Sequence, residues 1–195
     1  MLNPSDIHWQ AGKRILRYLQ GTRNLGLSFK KTSDKQFLIQ AYSDADWAGD
    51  QDDRKSTTGY VILLNGSVVS WVSKKQSTIA LSSAEAEYMA ISATMQEIKW
   101  IEQLLKELKV NTSRTAQLFC DNQAAIAISQ NDVHHARTKH IDIRHHYIRE
   151  AIQKKEVQLS WIRSEDQLAD IFTKALPIHA FQKLRMPLLS PNDQP

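Results

Sequence analysis

Between Phe37 and Asp46 an apolar strand runs straight into clustered carboxylates. Phe37, Ile39, Ala41 and Ser43 fall on one face of it and Leu38, Gln40, Tyr42 and Asp44 on the other. A carboxylate fixed on a rigid strand is a means of holding a hard divalent cation, because Mg²⁺ takes oxygen ligands in near-octahedral geometry. One acid cannot hold such an ion. The question for the rest of the chain is whether other carboxylates reach Asp44 from elements that could surround it.

The rest of the chain offers them. Asn65-Gly66 between the apolar runs 59–64 and 67–72 is a hairpin signal, so three successive antiparallel strands are expected, Asp44 ending the first. Ser82-Ser83-Ala84-Glu85 has the form of a capping box, with Ser82 as N-cap and Glu85 reaching back. A long helix follows, with Leu81, Ala84, Tyr88, Ile91, Met95, Ile98, Leu105 and Leu108 as its stripe and Glu87 near the stripe's edge. The short apolar run 116–120 ends in Asp121, again a strand delivering an acid. A small helix over Ala124, Ala125, Ile126 and Ile128, a helix carrying Ile141, His145, Ile148 and Ile152, and a strand over 157–162 come next. Ser164-Glu165-Asp166-Gln167 then opens a final helix, Leu168, Ile171, Phe172 and Ala175 facing inward and Asp170 beside them. At the amino end, Pro4-Ser5-Asp6 starts a helix with Ile7, Ala11, Ile15 and Leu19 at helical spacing, followed by a short strand over 25–29.

This order suggests a mixed sheet with helices on its faces. With 42% hydrophobic residues, one domain with a real core is the default. Cys120 is the only cysteine, which excludes an internal disulfide and a multi-cysteine zinc module and favours a reducing compartment. No run is long enough to cross a bilayer and the amino end lacks a signal-peptide core, so a soluble, intracellular protein without a membrane partner is expected. The net charge of +4 permits a polyanionic partner without demanding one.

Tyr42-Ser43-Asp44, Ala86-Glu87-Tyr88-Met89-Ala90, Cys120-Asp121-Asn122-Gln123 and Gln167-Leu168-Ala169-Asp170 stand in the order of the four-carboxylate set of the ribonuclease H fold. Asp44-Ala45-Asp46-Trp47-Ala48-Gly49, Arg54-Lys55-Ser56-Thr57-Thr58-Gly59-Tyr60, Thr138-Lys139-His140-Ile141-Asp142 and Asp166 to Lys174 narrow it further. Together they resemble the ribonuclease H domain of copia-type LTR retrotransposon polyproteins. His8-Trp9 and Arg14-Ile15-Leu16-Arg17-Tyr18-Leu19 are similar to the end of the reverse transcriptase portion upstream.

The resemblance implies an α/β, ribonuclease H-like fold with a mixed five-stranded sheet, three antiparallel strands plus parallel ones, flanked by helices. It implies a reverse transcriptase connection-like segment over 1–35, a ribonuclease H-like domain over 36–185 and a disordered tail over 186–195. The implied activity is metal-dependent hydrolysis of the RNA strand of an RNA–DNA hybrid, leaving 5′-phosphate and 3′-hydroxyl ends. Two Mg²⁺ ions, for which Mn²⁺ can substitute, stand about 4 Å apart in such sites. Asp44 would bridge both, Glu87 and Asp121 would complete one, and Asp170 the water-activating one. Partners implied are the hybrid and the reverse transcriptase domain of the same polyprotein, in the cytoplasm, within a virus-like particle, or in the nucleus.

Recognition of the hybrid needs polar groups that feel 2′-hydroxyls across a wide minor groove. Ser43, Ser82, Ser83, Asn122 and Gln123 adjoin the acids and are candidates, Ser82 having capping as an equal explanation. Arg54, Lys55, Lys74, Lys75, Arg137 and Lys139 are candidate phosphate contacts. Asp46 is not assigned to the metal and Glu85 is assigned to the cap. Where many cellular ribonucleases H carry a Gly-His pair before the last acid, this chain has Arg163-Ser164-Glu165. His134, His135, His140, His145 and His146 lack the cysteine partners of a usual zinc site. The rival reading is a domesticated, catalytically weak or inactive ribonuclease H-like module that binds nucleic acid or protein.

Overall fold

The computed structural model describes residues 4–29, 31, 36–113, 115–130 and 147–191. Helix α1 (Asp6–Gly21) is followed by a short strand β1 (Leu25–Gly26). Strands β2 (Ile39–Asp46), β3 (Thr57–Leu64) and β4 (Ser67–Lys75) form an antiparallel meander; then come helix α2 (Ser83–Glu107), strand β5 (Ala116–Cys120) and helix α3 (Gln123–Gln130). The described part of a helix α4 covers 147–153, and strand β6 (Val157–Trp161) follows. Two 3₁₀ helices (Ser164–Asp166 and Leu168–Phe172), helix α5 (Ile178–Arg185) and strand β7 (Ser190–Pro191) complete the order.

The expected mixed sheet is present, in the order β4-β3-β2-β5-β6, with β5 parallel to both β2 and β6. The hairpin turns on Asn65 and Gly66, both at positive φ, as a tight two-residue turn between twisted strands demands. Asn65 Oδ1 also accepts from the Leu38 amide at 2.7 Å, tying the turn to the start of β2.

Alternation along the strands divides the apolar side chains into two cores. On one face Ile39, Ala41, Tyr60, Ile62, Leu118 and Leu159 meet Tyr88, Ile91, Met95, Ile98 and Leu105 of α2 and Ile148 of α4. On the other, Val61, Leu63 and Val68 meet Leu168, Leu184 and Leu188, with Tyr42, Ile171 and Phe172 packed against them. Each fully buried aliphatic side chain contributes roughly 1.5–3 kcal/mol. Both cores converge on β2, which places one end of that strand under elements from both faces.

Some expectations differ from the outcome. The final helix is two 3₁₀ helices separated by Gln167, whose backbone is extended (φ −73°, ψ 99°). Its side chain is fully buried and donates to Ser43 O at 2.9 Å, a tertiary bond that no local pattern encodes. The stripe of α2 stops short at both ends, Leu81 and Leu108 being exposed. Strand β1 is shorter than expected and joins β7, not the main sheet. The stretch from 186, expected to be a disordered tail, packs as far as Pro191: Leu188 is buried and Ser190 pairs with Gly26. Helix α1 has the expected start and period, yet none of its residues is buried. The histidines from 134 to 146 lie outside the described residues.

Candidate active site

The parallel register of β2 and β5 pairs Tyr42 with Phe119, and their rings stack at 5.0 Å. Two positions further along, the same register brings Asp44 level with Asp121, which directly follows β5. Glu87 arrives from the second turn of α2, which Ser82 caps by accepting from the Glu85 amide at 3.2 Å. Asp170 arrives from the opposite face on the second 3₁₀ helix. That element reaches Asp44 because Gly59, opposite Asp44 in the β2–β3 ladder, has no side chain. A Cβ there would lie 2.5 Å from Thr173 Cγ2 and 3.0 Å from Ala169 O.

Asp44, Asp121 and Asp170 each offer an oxygen within 4.8 Å of the others. Asp44 is fully buried; Asp170 and Glu87 are nearly so. The Asp44 Oδ2 atom accepts from Thr173 Oγ1, and Asp44 Oδ1 is 3.3 Å from Lys174 Nζ, an ion pair without hydrogen-bond geometry. Lys174 Nζ also donates to Asp170 Oδ1 at 3.0 Å. Ser164 Oγ donates to Asp121 Oδ2 at 2.6 Å, and Trp161 Nε1 donates to Asp121 O at 3.1 Å.

So many carboxylates at one point oppose their own ionisation. Burial, then the charges of Asp44 and Asp121, push Glu87 up to about 9. Burial and the Asp44 charge push Asp170 up to about 6, against the pull of Lys174. Burial works to lower the Lys174 ammonium's affinity for its proton, but Asp44 and Asp170 outweigh it and hold the pKa above the usual value. Burial, with Glu87 beside it, raises the Cys120 thiol well above its usual value, and the Cys120 sulfur lies within 4.8 Å of an oxygen of Glu87 and of Asp121.

The donor set suits a hard divalent cation: carboxylate oxygens converge, one buried oxygen of Asp44 accepts no hydrogen bond, and the charges of Asp44 and Asp121 oppose ionisation of Glu87. Asp44, Asp121, Asp170 and Glu87 are the residues that would hold it.

The remaining candidates divide. Ser43 is fully buried, so its hydroxyl faces protein and cannot be a substrate contact as expected. Ser82 is the N-cap; Ser83 is exposed beside it. Asn122 Oδ1 accepts from the Ala125 amide at 3.0 Å and so starts α3, leaving Gln123 exposed next to Asp121. Lys75 pairs with Asp50 and, at 3.3 Å, with Asp53; Lys55 is 3.8 Å from Asp53. Arg54 and Lys74 are exposed and form no ion pair among the described residues, and Arg137 and Lys139 lie outside them. Glu85 caps as expected, although its carboxylate accepts from the Leu81 amide at 2.8 Å instead of from Ser82. Sequence reasoning missed Gly59, Ser164, Gln167, Thr173 and Lys174. Only Lys174 left a signal, its spacing of four residues from Asp170.

No family model matches the chain. It is 46% identical over 179 residues to the retrovirus-related Pol polyprotein from transposon RE1 of Arabidopsis thaliana. It is 42% identical over 180 residues to that from transposon TNT 1-94 of Nicotiana tabacum. Each match covers 92% of the chain but only 12% and 13% of the polyproteins, so the chain spans about an eighth of their length. The secreted RxLR effector protein 161 of Plasmopara viticola is 52% identical over 113 residues, 58% of this chain and 73% of that protein. Among solved structures, the N-terminal RNase H domain of Rv2228c from Mycobacterium tuberculosis superposes with a TM-score of 0.51 at 10% identity. That likeness, over 76% of this chain and 96% of the other, is one of fold.

Proposed function

The chain belongs to the Pol polyproteins of copia-type transposons and has the ribonuclease H fold; we propose that it is their hybrid-specific endoribonuclease, cutting the RNA strand of RNA–DNA hybrids during reverse transcription. The observation that carries this reading is the convergence of Asp44, Asp121 and Asp170 within 4.8 Å, with Glu87 held against them. Two Mg²⁺ or Mn²⁺ ions bound among these acids would supply the charge that eases deprotonation of the attacking water and stabilises the leaving oxygen.

Each residue then has a defined task. Thr173 fixes the rotamer of Asp44, and Ser164 that of Asp121, so that both carboxylates are oriented before substrate arrives. Gln167 ties the segment bearing Asp170 to the backbone of β2. Asn122, Gln123 and Ser83 border the acids from α3 and α2, where 2′-hydroxyls of an A-like duplex would pass. Arg54 and Lys74 are exposed cations for phosphates. Residues 1–35 are assigned to the reverse transcriptase connection and the domain proper to the residues from 36 onward, with the polymerase of the same polyprotein as partner inside the cell.

Cleavage of a labelled RNA–DNA hybrid by the purified chain, with Mg²⁺ or Mn²⁺ and beside duplex DNA and duplex RNA, tests the reading. The expected result is cutting confined to the hybrid's RNA strand and abolished in Asp44→Asn, which stays folded. Equal cutting by wild type and Asp44→Asn would refute the site.

A second reading is favoured by one observation: more than half of this chain matches, at 52% identity, a protein named as a secreted effector, of which the match covers 73%. It is a free-standing module that keeps the fold and binds nucleic acid or protein without useful catalysis. Hybrid binding by folded chain with no cleavage in either metal would select it.

A further inference from the structure

Resting on the proposed ion-dependent site, we infer that Lys174 is a resident cation that competes with a divalent ion for the position between Asp44 and Asp170, making that position the weaker one. The ammonium lies 3.3 Å from Asp44 Oδ1 and 3.0 Å from Asp170 Oδ1, and it is the only cation paired with these acids among the described residues. A Mg²⁺ ion binds oxygen at about 2.1 Å, so an ion taking the same two oxygens would stand within about 5 Å of the ammonium. Two cations so close repel strongly where water is scarce, and both carboxylates are almost fully buried.

The Lys174 side chain itself is only about one-third exposed, and its backbone is held by the Lys174 N–H bond to Asp170 O at 3.1 Å. That bond holds the Lys174 backbone beside Asp170. The ammonium leaves the acids by rotation of its own flexible stem, which four rotatable bonds permit. The position bordered by Glu87 and Asp121 has no such occupant among the described residues, Asp121 being engaged by the neutral hydroxyl of Ser164. The two ion positions are thus inequivalent. One fills directly; the other fills by exchange of a monovalent for a divalent charge.

The test is calorimetric titration of the metal-free chain with Mn²⁺, comparing wild type, Lys174→Met and Lys174→Arg. Wild type is expected to take up one ion tightly and a second at least about tenfold more weakly. Lys174→Met should tighten the second step by on the order of tenfold, whereas Lys174→Arg, which keeps the charge, should not. In parallel, nitrogen NMR of the wild-type lysine ammonium groups, titrated with diamagnetic Mg²⁺, should show one resonance in the metal-free protein that is shifted or lost as the second ion binds. An unchanged second step in folded Lys174→Met, or an ammonium resonance indifferent to Mg²⁺, overturns the inference while leaving the proposed function standing. Absence of Mn²⁺ uptake by wild type and Lys174→Met alike would remove the ion-dependent site itself, and this inference with it.

Discussion

Gly59 faces Asp44 across the β2–β3 ladder, and the space where its side chain would be is filled by Thr173, the residue whose hydroxyl holds Asp44. One missing methyl group therefore sets how closely the segment carrying Asp170 approaches the central acid. Gly59→Ala should push that segment outward, costing about 1–3 kcal/mol of stability and most of the cleavage activity. Gly66→Ala is the control: a Cβ there meets nothing, so it should cost only about 1 kcal/mol for its left-handed backbone and leave cleavage unchanged. Urea unfolding and hybrid cleavage of both variants check this, and loss of cleavage in both would refute the packing argument.

Glu85 and Glu87 stand two residues apart on α2 with different duties. Glu85 accepts from the Leu81 amide at the exposed helix start, whereas Glu87 is buried against Asp44 and Asp121. Glu85→Ala should lower stability by about 1 kcal/mol with cleavage intact. Glu87→Gln should abolish cleavage without destabilising the metal-free protein, since it removes a buried acid that resists ionisation. Reversal of the two phenotypes would show the assignment to be wrong.

The acids also set a pH dependence. Glu87 and Asp170 have folded values raised to about 9 and about 6 from ordinary values of 4.5 and 3.8. Their protonated forms favour the folded state. The stability they contribute is complete below the ordinary values and is lost as pH rises through 6 and then 9. Thermal melts in EDTA should therefore show the midpoint falling between about pH 5 and about pH 9. Added Mg²⁺ competes with those protons, so its stabilising shift should grow over the same range. A Mg²⁺ shift that is flat with pH would contradict this coupling.

Much of the fold was legible because its signals are local. The Asn65-Gly66 turn, the alternation of Ile39 and Ala41 with Tyr42, and the Ser82 cap each state their structure within a few residues. The four acids were legible through a family resemblance together with their positions at strand ends and helix starts. What stayed hidden depends on distant partners. Gln167 breaks a helical pattern because its side chain finds Ser43 O, and Lys174 reads as an ordinary surface lysine until Asp44 is beside it. Ser43 reads as a substrate contact until the sheet closes over it. Helix α1 shows the opposite case: its period is clear, but no described element covers Ile7, Ile15 or Leu19, which remain exposed.

The contact between Thr173 and Asp44 joins positions 129 residues apart, and that between Gln167 and Ser43 spans 124. Closing so large a loop comes late in folding, after the hairpin and α2 have formed from near neighbours. On the ribosome, then, a growing chain can pair β2 with β3 and β4 and seat α2 well before Thr173 and Gln167 reach Asp44 and Ser43. The acid cluster is thus completed by one of the last contacts to form, and a product that ends before Leu168 lacks Asp170, Thr173 and Lys174 together with the Leu168, Leu184 and Leu188 side of the second core.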